Sequence, residues 1–298
     1  MRNGRRGVAL IVVLVLLIVL GLMAGEIARA IHLETQTVVS LRARTVARYA
    51  AESGVILVEQ KLTALLDSAT SPEERANVLN NREPWLAPLH EVALGNARFG
   101  VTIVDLNARI DLNQSDTASL RNLFAQFTSG SRAADIAVAI REAPLPQLGD
   151  LAYVPGVDDA LALAVAPYVT VHGDGSLNVN SAPEPVLAAL PALGPAGARS
   201  LMERRESGGR FRSLSDLRSD RGQSPTPAGG DDTEAGMSGV PSAGVTSGPT
   251  LRAVMMPTRL MVISRGWQVG HPLTHEVQAV YALSGQGVKL LDWQEKDR

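Results

Sequence analysis

Apolar positions come first in this chain as an unbroken run and only later as a pattern. Val8 through Leu20 is wholly apolar, and no charged residue follows Arg6 until Glu26. One helix needs near 20 residues to cross the hydrocarbon core of a bilayer, and this run is about that long. After Gly25 the sequence becomes amphipathic. Ile27, Ile31, Val38, Leu41, Tyr49 and Ile56 recur at near-helical spacings, Glu34, Arg42, Arg44, Arg48, Glu52 and Glu59 lie between them, and no proline appears before Pro72. The spacing predicts one helix from about Val8 to about Leu66, its first half in lipid and its second half packing an apolar stripe on a soluble domain. Such a helix spans on the order of 85–90 Å at 1.5 Å per residue. Gly21 and Gly25 form a small-xxx-small pair, which reads as local flexibility or as room for another helix.

The pattern then changes twice. Residues 67–97 read as a helix end and connector, with Ser71 capping a helix that starts at Pro72 and with Pro84, Trp85 and Pro88 marking irregular chain. Phe99, Val101 and Ile103 alternate as a strand closed by Val104; Asn107-Ala108 is a turn and Arg109–Leu112 a second short strand. About a hundred residues of helical pattern follow: Thr117–Gln126, Ala133–Glu142, an alanine-leucine helix ending near Tyr168, a helix opened by Asn178–Glu184, and Ala196–Glu206. Ser181 and Glu184 have capping-box spacing. Residues 219–250 are rich in Gly, Ser, Pro and Asp and read as a flexible loop. Strand character returns at Arg259–Ser264, His275–Tyr281 and Val288–Leu291, with a hairpin turn at Ser284–Gly287. Strands on both sides of a helical block predict an α+β fold, in which one antiparallel sheet is interrupted by an inserted all-α domain.

Composition removes several chemistries. The 298 residues carry a net charge of −2, so no global cationic field points to nucleic acid, and without cysteine there are no disulfides, thiolate metal sites or thiol nucleophiles. The five histidines are scattered; His271 and His275 are separated by Pro272 in a strand context, and His172-Gly173-Asp174-Gly175 reads as a tight turn. No nucleophile elbow, phosphate loop or zinc-protease helix is present, which argues against an enzyme.

The basic leader Arg5-Arg6 ahead of the apolar run favours retention of the amino terminus on the cytoplasmic side. A secretory signal cut at Ala28-Arg29-Ala30 would place its site behind Glu26, within the helical pattern, and an uncut signal anchor is the other plain alternative. Gly7-Val8-Ala9-Leu10, with glycine directly before the apolar helix, resembles instead a type IV-class prepilin start. Val104–Asn113, Asn178–Pro183 and Phe211–Leu217 resemble the strand pair and the second helical repeat of the type II secretion system protein K family, a family of minor pseudopilins.

That resemblance implies a pilin-like fold carrying an inserted SAM-like, helix-hairpin-helix domain, and divides the chain into a leader 1–7, the long helix 8–66 with 8–25 transmembrane, a first pilin part 67–112, an insert 113–218, the loop 219–250 and closing strands 251–298. It implies a non-enzymatic subunit at the tip of a periplasmic pseudopilus, anchored once in the bacterial inner membrane and partnered by minor pseudopilins I and J and other secretion components. It implies cleavage between Gly7 and Val8 by the prepilin peptidase and methylation at Val8. Val12 stands where most pilins have glutamate, a residue costly in lipid unless paired, and protein K is the member that lacks it.

The family's acidic calcium-associated loop has no counterpart in Arg141–Gln147, which is nearly free of carboxylates, whereas calcium needs six or more oxygens. Asp231, Asp232 and Glu234 are the remaining calcium candidates; Asp158-Asp159 read as a helix N-terminus. The rival reading is a membrane-anchored DNA-binding protein of a competence-like system. Leu187–Gly194 followed by Arg199, Arg204 and Arg205 resembles a helix-hairpin-helix, but Ala192 replaces a usual hairpin glycine and Glu203, Glu206 and Asp216 dilute the charge.

Overall fold

The computed structural model describes residues 4–69, 71–80, 87–211, 252–284 and 287–298. Helix α1 runs without interruption from Gly4 to Ser68, 65 residues, or about 97 Å at the helical rise. The described side chains between Val12 and Arg42 are all exposed. From Ala43 the helix acquires a buried face, made first of Ala43, Ala47, Ala50 and Ala51 and then of Val55, Val58, Leu62 and Leu66. This is not the stripe expected from the apolar spacing, since Tyr49 and Ile56 point to solvent and the alanines, small enough for close approach, take the docked side. Small residues come where the helix approaches closest, larger ones where the gap widens.

Helix α2 (Pro72–Asn80) begins at a capping box: the Glu74 amide donates to Ser71 Oγ at 3.1 Å and the Ser71 amide to Glu74 Oε2 at 3.3 Å. The stretch expected as connector then holds a strand, β1 (Leu89–Leu94), joined to β2 (Ala97–Asp105) by a two-residue turn in which Gly95 takes φ +60°.

Beyond β2 the chain enters the helical block. A 3-10 turn at Leu106–Ala108 leads to β3 (Ile110–Asp111), then α3 (Thr117–Phe124), α4 (Gly130–Glu142), a 3-10 segment at Leu148–Tyr153, α5 (Asp159–Val165), the strands β4 (Val169–Thr170) and β5 (Ser176–Asn178), α6 (Glu184–Ala189) and α7 (Gly194–Glu206). The short strand read at Arg109–Leu112 forms as β3 but stays off the large sheet. It pairs in parallel with β4, and Ile110 and Leu112 are buried with Leu120, Phe124, Ile136 and Leu187 in the helical core. The capping box read at Ser181–Glu184 does not form: α6 is preceded by Pro183 with no side-chain cap, because the Ser181 hydroxyl is taken by Asp105.

The chain returns through β6 (Arg252–Val254), which pairs in parallel with β5, to β7 (Arg259–Gln268), β8 (Thr274–Ser284) and β9 (Gly287–Asp297). The main sheet is antiparallel throughout, in the order β1-β2-β7-β8-β9. Strands β2 and β7 are direct neighbours although the whole helical block lies between them in sequence. One face of the sheet, with Phe99, Val101, Val262, Val277, Ala279 and Tyr281, packs under α1 and makes a second core. The α+β expectation therefore holds as a long N-terminal helix on an antiparallel sheet, plus a helical region.

Candidate functional site

The chain presents three arrangements relevant to function: a free half-helix, the docked half that holds it, and the junction that orients the helical block. Val12 through Met23 is an exposed apolar cylinder, Val12 itself 60% exposed, on a helix that is long and apolar enough by length and composition to cross a bilayer. Gly7 and Val8 lie in the opening turns of α1, on the same continuous helix. A β-carbon placed at Gly21 or Gly25 would meet nothing within 4 Å, so that side is open to a neighbouring helix. Ile27, Ile31, Val38, Val39 and Leu41 continue the exposed apolar surface past the first charge, onto a stretch that no sheet covers.

The docked half is fastened by close backbone approach and by charge. Gly266 in β7 leaves no room for a side chain beneath Ala47 and Ala51. At the same end, Arg44 pairs with Asp297, and Arg48 reaches Glu52 at 2.8 Å and Glu295 at 3.3 Å. His275 Nδ1 lies 2.6 Å from Asp297 and Nε2 lies 3.4 Å from Glu295. On the opposite sheet face the Glu276 side chain, 1% exposed, meets Arg265 at 2.7 Å, Lys296 at 3.1 Å and Arg298 at 3.1 Å. Burial alone would raise the Glu276 pKa; hydrogen bonds from Arg265, Gln278 and Lys296 overcome that and lower it to about 2.

The junction is a polar network that sequence reading did not find. Asn107 Nδ2 donates to Asp174 Oδ1 at 3.0 Å and to Ser176 Oγ at 2.8 Å, while its Oδ1 accepts from the amides of Thr258 at 2.8 Å and Arg259 at 2.7 Å. Asp105 Oδ1 accepts from the Asn107 amide at 2.9 Å, and Oδ2 from Asn178 Nδ2 at 3.1 Å and Ser181 Oγ at 2.5 Å. One buried asparagine thus ties together the segment leaving the sheet, the β4–β5 loop and the segment returning. Burial works against the Asp174 carboxylate, yet the Ser176 and Thr258 hydroxyls hold its pKa below the ordinary range. The only sequence sign was a cluster of Asn, Asp and Ser between apolar runs, which turns show equally.

The remaining candidates sort as follows. Asp231, Asp232 and Glu234 lie outside the described residues, as do Arg212–Leu217. Among the described residues no three acidic or histidine side chains gather as a metal site. The loop after α4 does not fit calcium. It is pinned instead by Asn113, whose side chain accepts from the Leu145 amide and donates to its carbonyl, both at 2.9 Å, and by Arg141, which donates to the Asn113 carbonyl at 2.7 Å. Asp158 caps α5, accepting from the Leu161 amide at 2.8 Å, and pairs with Arg132 at 2.6 Å. The arginines of α7 contact their own chain. Arg205 donates to the Ala182 carbonyl at 2.6 Å, Arg204 stacks 4.7 Å over Phe211, and Arg199 donates to the Pro195 carbonyl.

Residues 177–237 match the family model described as type II secretion system protein K. The fold is similar to that of a chain in the crystal structure of the GspK–GspI–GspJ complex from the enterotoxigenic Escherichia coli type 2 secretion system. The TM-score is 0.51 at 14% identity, covering 86% of this chain and 100% of that one. No curated protein matches the chain in sequence.

Proposed function

We propose that this chain belongs to the type II secretion system protein K family and is a non-enzymatic minor pseudopilin, a reading supported by the match over residues 177–237 and by the fold. In this reading it caps the tip of the periplasmic pseudopilus and helps start its assembly for export of folded proteins. The observation that carries the proposal is α1 itself: one helix with a free apolar half and a half docked on a sheet. The free half anchors the chain once in the inner membrane, with the bulk of the protein in the periplasm. Its exposed stripe from Ile27 to Leu41 packs on the equivalent helices of pseudopilins I and J. The partner assignment is supported by the solved complex, in which GspK is assembled with GspI and GspJ.

The sheet and α1 form a pilin-like body, and the helical block between β2 and β7 is its insert. Its bulk would bar a further subunit from stacking above, as a cap requires. Val12 fits that place: a subunit at the end of a filament forgoes the buried pairing that a glutamate there would make with a neighbour. Prepilin peptidase cuts between Gly7 and Val8 and the new amino terminus is methylated.

Mass spectrometry of the membrane-extracted protein tests the reading. A mature chain starting at N-methylated Val8 is expected; an intact Met1, or a start at Ile31, overturns it. Copurification with pseudopilins I and J tests the partner assignment separately.

A further inference from the structure

A cleft of about 360 Å³ opens where the end of β2 meets the helical block, with Ile103, Ala108, Pro167 and Pro183 among its apolar walls. Its polar groups are Asp105, Ser181 and Arg109. Arg109 is the anomaly. Its backbone amide donates to the Leu106 carbonyl, but no described residue accepts a hydrogen bond from its guanidinium or lies within ion-pair distance of it. Asp105 attracts it from beyond ion-pair distance, while the Asp105 oxygens accept from Asn107, Asn178 and Ser181. Arg109 is half-buried and burial lowers its pKa, so the group has given up part of its hydration and gained no acceptor among the described residues. Arg132, Arg141 and Arg205 nearby in the same block each reach a carbonyl or carboxylate within 2.7 Å.

A guanidinium offers a planar fork of donors suited to carboxylate or phosphate. The charge of Asp105 in the same cleft weighs against a dianion and favours a single negative charge. Ile103, Pro167 and Pro183 on the wall suit the methylene stem behind a carboxylate. The cleft sits at the β2 end far from Phe99, which pairs with Gly266 and hence lies near the start of the docked helix, so it is remote from the free half of α1.

The geometry points to a binding site in which Arg109 clamps a carboxylate presented by a partner chain, an Asp or Glu side chain or a chain terminus, between β2 and the helical block. The identity of the partner rests on the pseudopilin reading; the carboxylate chemistry does not.

The test uses the full chain in detergent, as wild type, Arg109→Gln and Arg109→Lys. Affinity for the solubilised I–J pair is measured, and in parallel melting temperature is followed on titrating acetate against chloride at equal ionic strength. Arg109→Gln is expected to weaken binding of the pair at least about tenfold, the loss expected of a charge-assisted hydrogen bond, and Arg109→Lys to weaken it less. If Arg109→Gln does not fold, the Lys variant carries the test, since it keeps the charge and loses the fork. Unchanged affinity in both variants overturns the proposal. Acetate that protects wild type but not Arg109→Gln, with affinity for the pair unchanged, overturns the partner chain as the source and leaves a free carboxylate. A wild-type chain that ignores the I–J pair sinks the pseudopilin reading alone; the acetate arm then decides the cleft, and no protection of wild type overturns it.

Discussion

Gly266 in β7 and Ala47 in α1 meet backbone to backbone: a β-carbon on Gly266 would overlap the Ala47 carbonyl oxygen and the Ala51 amide nitrogen. Helix and strand here are held apart by main-chain atoms alone, and neither partner can retreat into a rotamer. The contact lies where α1 changes from a free rod to a docked one, so it sets how the rod leaves the body.

Gly266→Ala should therefore lower stability by about 1–3 kcal/mol, the range for an overpacked contact, and Gly266→Val by more. Denaturant titration of the full chain in detergent checks this. Gly21→Ala on the free half, where nothing lies within 4 Å, is the control and should leave the midpoint unchanged.

Asn107 holds the junction with both ends of its side chain, and its partners at Asp174, Ser176 and Thr258 are 67 to 151 residues away in sequence. Asn107→Ala leaves several buried donors and acceptors without partners. The expected cost is about 2–4 kcal/mol, taking 1–3 kcal/mol for each buried group stranded. Asn107→Asp should also destabilise, since the new carboxylate faces Asp174. Amide exchange is expected to accelerate first at Thr258 and Ser176, before the sheet opens.

The sequence made some of this legible and hid the rest for identifiable reasons. Helix α1 shows because helical spacing runs on with no proline before Pro72, although the apolar positions that carry the spacing, Tyr49 and Ile56 among them, are exposed and the docked face is another. Strands β7 and β8 show because Leu260, Val262 and Val277 alternate with polar or half-buried neighbours. Strand β1 was hidden because its pairing shifts register between Leu89 and Val92, with Glu91 at φ +49°, which breaks the two-residue alternation. The roles of Asp105 and Asn107 are invisible in principle from local pattern: what each touches is decided by the chain closing on itself across the helical block. Gly7, Val8 and Val12 sit on the same uninterrupted helix as the docked face.

Ser181 and Glu184 separate the two ways of reading that segment. A capping box would make both matter to α6. The structure instead gives the Ser181 hydroxyl to the buried Asp105 carboxylate and leaves α6 without a side-chain cap. Ser181→Ala should cost about 1–3 kcal/mol by stripping a donor from a buried charge. Glu184→Ala should stay within about 0.5 kcal/mol, as a surface change away from any network. Equal losses from the two variants, measured by thermal denaturation, would restore the capping box.

Glu276 makes the acid stability of the sheet testable. Its carboxyl titrates near 2 in the folded protein against an ordinary value of 4.5, because Arg265, Gln278 and Lys296 outweigh the effect of burial. The folded state thus binds this proton more weakly than the unfolded chain does. The contribution is complete above about pH 5 and is lost as pH falls from there through 2. Asp111 runs the other way: burial raises its pKa despite amide hydrogen bonds from Gln114 and Asn113, so its protonation on acidification relieves a cost. Asp297 and Glu295, both lowered, chiefly by His275 and Trp293 respectively, add to the same acid loss as Glu276. A bare stability-versus-pH curve therefore mixes opposing signs, and the difference between wild type and Glu276→Gln isolates one of them. The variant should be less stable at pH 7 by about 1–3 kcal/mol, since three cations lose their shared acceptor, yet the gap should close as pH approaches 2. A gap that stays constant down to pH 2 would mean that Glu276 is not held ionised by those cations.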